Sequence, residues 1–157
     1  MRTVLLLGIS CTLVACSLER PPPTVIAARM TPRCADVADG SAAKVAAPAN
    51  VRRVQPLYSV LNANPNGAES RLVGAKLELR PLDGVTPEAL GLALQCREAK
   101  ETSSDEADDR CPYAIPGMWV DIDVKSNGAG YEVDLRGEDF DEATLILQRA
   151  NGFASAR

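Results

Sequence analysis

The chain has 157 residues, a formal charge of -4, five cysteines and no histidine, and aromatic residues make up only 4% of it. That length suits one domain with an extension, and its core must be aliphatic. Without histidine, the usual base for a serine or cysteine nucleophile and the usual zinc ligand are both missing.

The first element is an export signature. Met1 and Arg2 form a minimal positive head, and Thr3 to Thr12 (TVLLLGISCT) is an apolar run of signal-peptide length. It is too short to cross a bilayer, which needs about 20 apolar residues. Leu13-Val14-Ala15-Cys16 follows and resembles the lipobox of bacterial lipoproteins at all four positions. The resemblance covers only the start of the chain. It implies cleavage before Cys16, removal of residues 1–15, acylation of the Cys16 thiol, and attachment to a membrane through acyl chains. Each buried methylene contributes about 0.8 kcal/mol to such an anchor. The residue after the lipidated cysteine is Ser17, not aspartate, which by the sorting rule of that family implies the outer membrane, facing the periplasm.

Charge divides the mature part. Cys16 to Arg80 holds nine Lys/Arg against five Asp/Glu, and Pro81 to Arg157 holds seven against sixteen. The acidic distal half argues against a nucleic-acid partner. The scattered positive charges of the proximal half read as a solvated tether.

Residues 16–50 contain prolines 21, 22, 23, 32 and 48 and show no sustained periodicity, so they are expected to be a disordered, proline-rich tether. Val51 to Leu61 is apolar enough to dock on the domain as an edge strand or short helix, with Pro56 excluding a central strand. Residues 51–69 are therefore a docking segment and turn. The folded unit is expected at residues 70–153, with a tail at 154–157.

Within that unit, Val73, Ala75, Leu77 and Leu79 alternate with charged residues as in a strand. Thr86 and Pro87 can open a helix that presents Leu90, Ala93, Leu94 and the stem of Arg97 to the sheet. Met118, Val120, Ile122 and Val124 then alternate with Trp119, Asp121, Asp123 and Lys125. After "SNGAG", Tyr131, Val133 and Leu135 resume the inward register, which predicts a hairpin. Asp139 and Glu142 have capping-box spacing ahead of Ala143, Ile146, Leu147 and Ala150, and Gly152 is the expected helix stop. The order strand, helix, strand, strand, helix predicts an α+β two-layer sandwich, a three-stranded sheet with two helices on one face.

Once Cys11 leaves with the signal and Cys16 is acylated, Cys34, Cys96 and Cys111 remain. In an oxidising compartment the expected bridge is Cys96 to Cys111 around the acidic loop, with Cys34 free or paired to another molecule. The loop Ser103 to Arg110 lacks the glycine and glutamate positions of an EF-hand and reads as solvated charge. Asp121, Asp123 and Asp134 gather carboxylates on one sheet face, more simply a solubilising face than an acid/base pair. Trp119, in the outward register, either anchors a partner or is covered by Val51 to Leu61. No catalytic motif, metal site or cofactor site is expected. The strand and helix order resembles, in topology only, ring-building and KH-like modules of envelope secretion systems, and the rest of the chain resembles uncharacterised single-domain envelope lipoproteins. These point to a lipid-anchored binding or structural module, with a subunit of a membrane-associated oligomer as the first alternative and a carboxylate-dependent enzyme as a remote one. An envelope protein is the expected partner besides the membrane; the sequence leaves the oligomeric state open.

Overall fold

A computed structural model describes residues 20–37, 47–64, 67–104 and 110–156; the signal peptide, Cys16 and the centre of the acidic loop lie outside the described residues. The fold is α+β. Four strands, β1 (Val51–Asn64), β2 (Gly67–Leu79), β3 (Asp121–Ser126) and β4 (Tyr131–Arg136), form an open antiparallel sheet in the order β1-β2-β4-β3. Among the described residues, three α-helices accompany it: α1 (Pro23–Met30), α2 (Pro87–Ser103) and α3 (Phe140–Ser155). The expected sheet had three strands; the fourth is the segment assigned to docking. Pro56 sits on that strand opposite Ala75, and β1 is an edge, where a residue without an N–H is tolerated.

Register explains the core. Val54, Leu77, Val133 and Val124 lie in one cross-strand row, and Pro56, Ala75, Leu135 and Ile122 in the next. Against these rows pack Leu90 and Leu94 of α2 and Ile146, Ala150 and Phe153 of α3, so both helices cover the same face. Tyr113 and Ile115, ahead of β3, close one end of the core. Tyr113 meets Phe153 edge-on at a centroid distance of 5.7 Å, a favoured aromatic arrangement.

The helix starts follow the predicted chemistry. Thr86 Oγ1 accepts from the N–H of Ala89 at 3.2 Å, with Pro87 in the first turn. Asp139 Oδ1 accepts from the N–H of Glu142 at 2.9 Å. Glu142 reaches back to the N–H of Glu138 at 2.6 Å, one residue beyond the cap itself. The expected stop at Gly152 is not one: α3 continues to Ser155, so the glycine lies in its last turn and the final helical residues come from the predicted tail.

Residues 23–34 also depart from expectation. The proline-rich tether contains α1 and a 3-10 turn at Thr31–Cys34. Pro23 occupies the first helical position, where its missing N–H leaves no bond unmade. Among the described residues, no helix is long and apolar enough to cross a membrane.

Candidate functional site: a projecting hairpin and a latched corner

β1 and β2 are longer than the sheet they belong to. β2 pairs with β4 only from Gly74 to Leu79, whereas it pairs with β1 from Leu79 out to Gly67. The distal halves therefore project as a two-stranded arm. Its base is a bulge: the register shifts between Leu57 and Tyr58, opposite the step from Gly74 to Leu72. Gly74 has a φ of +153°, and a β-carbon there would overlap the carbonyl oxygen of Leu135, so only glycine lets the sheet close at this bend. The chain after β4 props the base: Gly137 N–H donates to Val73 O at 3.0 Å, and Arg71 Nη2 donates to Glu138 O at 3.2 Å.

On the arm, Tyr58, Val60 and Leu61 are 57%, 62% and 51% exposed. Phe140, two residues past the carbonyl that Arg71 holds, is exposed as well. Residues 54–68 carry no charged side chain, although charged residues make up 24% of the chain. An exposed edge strand usually carries a charge that discourages pairing. The outer stretch of β1 has none beyond Arg53. The opposite edge differs: Gln95 of α2 donates to the carbonyl of Ile122 at 3.2 Å, so β3 is partly covered.

The second feature is the corner around Trp119. Alternation places Met118 and Val120 in the main core and sends Trp119 the other way, as predicted, but that side is not wet. Trp119 is 8% exposed and packs with Ala27, Ile26 and Met30 of α1 and Ala99 of α2. It is thus not a partner surface, and what covers it is α1, not Val51 to Leu61. Arg20, just before α1, reaches across to Asp121 at 2.6 Å.

A disulfide fixes the same corner, and it is not the expected one. Cys34 bonds to Cys96, with a Cα–Cα distance of 5.5 Å, across 62 residues of sequence. Cys111 is free and fully buried in the main core, where burial raises its thiol pKa. The reason is orientation: Cys96 lies on the side of α2 that the 3-10 turn covers, while Cys111 points into the core. Closing so long a loop stabilises by about 4 kcal/mol in the chain-entropy picture.

Behind Trp119 lies Glu98, which is fully buried. Its Oε1 accepts the N–H of Val120, and Oε2 has no partner. Burial pushes its pKa up to about 9, only partly offset by the Val120 bond; Asp121 raises it further and Arg20 lowers it. At neutral pH Glu98 is a neutral acid.

Compared with protein families, curated proteins and solved structures, the chain matches none.

The predicted carboxylate face does assemble. Asp123 stands directly opposite Asp134, and Asp121 opposite Arg136. Cations interleave them, however. Asp134 lies 2.8 Å from Arg136, 3.6 Å from Lys125 and 3.9 Å from Lys76; Lys125 also holds Asp123 at 2.8 Å, and Lys76 holds Glu132 at 2.6 Å. The Lys125 hydrogen bond keeps the Asp123 carboxyl below the usual range. Among the described residues, no group of His, Cys, Asp and Glu could hold a metal ion. This face is an ionic ladder on an open sheet. Sequence reasoning missed the arm, whose available signal was the charge-free run 54–68, and missed Glu98, which sits in an ordinary helical pattern.

Proposed function

We propose that this protein is a lipid-anchored binding module of the bacterial envelope, held at the outer membrane through acyl chains on Cys16 and facing the periplasm, with no catalytic role. The lipobox supports the anchor. The disulfide between Cys34 and Cys96 agrees with an oxidising compartment. The observation that carries the binding reading is the arm: a projecting edge strand with Tyr58, Val60 and Leu61 exposed and no charge from residue 54 to 68. Its occupant is an extended segment of another envelope protein, added beside β1 by main-chain hydrogen bonds with apolar side chains reading the face.

Photo-crosslinking from position 58 or 60 in the lipidated protein in intact envelopes tests this. The expected result is one discrete adduct, lost on Val60→Lys. Absence of any adduct, with the protein fully membrane-bound, overturns the binding reading. A second reading is favoured by the same charge-free run, since two copies of β1 could pair without like-charge repulsion. In that case the adduct has twice the mass of the protein, and the delipidated chain elutes as a concentration-dependent oligomer.

A further inference from the structure

The outer stripe of α3 breaks two local rules within one turn. Gly152 lies in the last turn of the helix, ahead of its end at Ser155, where alanine would favour helical backbone more than glycine does. Yet nothing steric demands it, because a β-carbon there would meet nothing within 4 Å. One turn earlier, Nη1 of Arg149 is buried without any hydrogen-bond partner. An unpaired buried donor destabilises a fold, so a helix that holds both features is carrying something other than stability.

Gly152 and the side chain of Arg149 border the same groove, Nη1 lying shielded beneath its surface. Leu145, Arg149, Gly152, Phe153 and Ala156, spaced so that they share one side of the helix, line a groove of about 520 Å³ whose other wall includes Arg110. That volume falls within the roughly 300–1,000 Å³ range of small-molecule sites. Its polar groups are the two guanidinium groups, the Gln148 amide and the Ser155 hydroxyl, which donates to the carbonyl of Asn151 at 2.8 Å, and its remaining lining is apolar. Phe153 is held in place from beneath by the edge-on contact with Tyr113.

We propose that this groove binds a single-chain carboxylate of the fatty-acid type. The carboxylate accepts from Arg149, whose planar fork matches it, and the alkyl chain lies over Leu145 and Phe153 in the notch that Gly152 leaves open. A neutral lipid would leave the guanidinium unpaired, and a small anion would leave the apolar lining wet. The site lies on α3, away from the exposed outer half of the arm, and does not depend on Cys16.

Titration of the isotope-labelled full chain with octanoate, 1-octanol and acetate, followed through amide chemical shifts, tests it. Octanoate is expected to bind with a Kd on the order of 1 mM or tighter, with shifts confined to residues 145–156 and the neighbourhood of Arg110. The alcohol and acetate are expected to bind at least about tenfold more weakly, a tenfold ratio being one decade in Kd. Arg149→Gln should bring octanoate down to the level of the alcohol. Gly152→Leu should abolish octanoate binding. Neither variant should melt below the parent protein. Octanoate binding that survives Gly152→Leu, equal affinity for 1-octanol, shifts centred outside the groove, or no binding at all would each overturn the assignment. So would unfolding of Gly152→Leu, since it would show that the notch is not open.

Discussion

Glu98 is a residue whose protonation belongs to the folded state. In an unfolded chain its carboxyl ionises near 4.5, and in the fold near 9. Between those values the native state holds a proton that the unfolded state has released, so stability is greatest below about 4.5 and declines as pH rises toward 9. The slope for one proton is about 1.4 kcal/mol per pH unit. Denaturant unfolding at pH 5, 7 and 9 is expected to show this decline. Glu98→Gln, which keeps an acceptor for Val120 and cannot ionise, should flatten it and leave the variant more stable than the parent at pH 9. A parent protein whose stability does not change over that span would contradict the buried neutral acid. Gly74 is the corresponding backbone position. Gly74→Ala would press a methyl group onto the carbonyl of Leu135 in a conformation that L residues rarely adopt, and a loss of at least about 2 kcal/mol by the same measurement is expected.

Among the elements, α1 and the arm show what local sequence can and cannot say. α1 is eight residues long with a single buried residue, Ala27, too little for a helix to persist alone. It exists because Trp119 and Ala99 offer it a surface and because Cys34–Cys96 and Arg20–Asp121 hold its two ends. Trp119 is the sole tryptophan of the chain, so its fluorescence reports the latch directly. In Cys34→Ser/Cys96→Ser the emission should shift to the red as α1 loosens, and the free energy of unfolding should fall by up to about 4 kcal/mol. Cys111, buried in the main core, should stay unreactive toward thiol reagents until global unfolding. The arm answers differently to substitution. Tyr58→Lys and Val60→Lys alter exposed positions and should change stability by less than about 0.5 kcal/mol, so any loss of crosslinking in those variants reads as lost contact and not as lost fold.

At the scale of the whole molecule, the parts with a strong local period were legible. β2, the β3–β4 hairpin, α2 and α3 follow from alternation, caps and helical spacing, because each element buries one face against the same core and the sequence must repeat at the period of that face. If Cys16 is acylated, the protein should sediment with membranes, and Cys16→Ser should release it to the soluble envelope fraction without changing its melting. Release in the parent protein as well would remove the membrane from the functional account.

Taken alone, the order of residues determined that one aliphatic α+β unit forms, where its caps and hairpin lie, and which carboxylates share a sheet face, since all of these are set by neighbours a few positions away. Tertiary structure alone decided that residues 51–64 join the sheet as its edge and run past it, that residues 23–34 fold back over Trp119, that Cys34 and not Cys111 reaches Cys96, and that α3 continues through Gly152. Each of those outcomes depends on which surface a distant segment finds to bury, and a pattern read along the chain carries the period of a face but not the identity of what covers it.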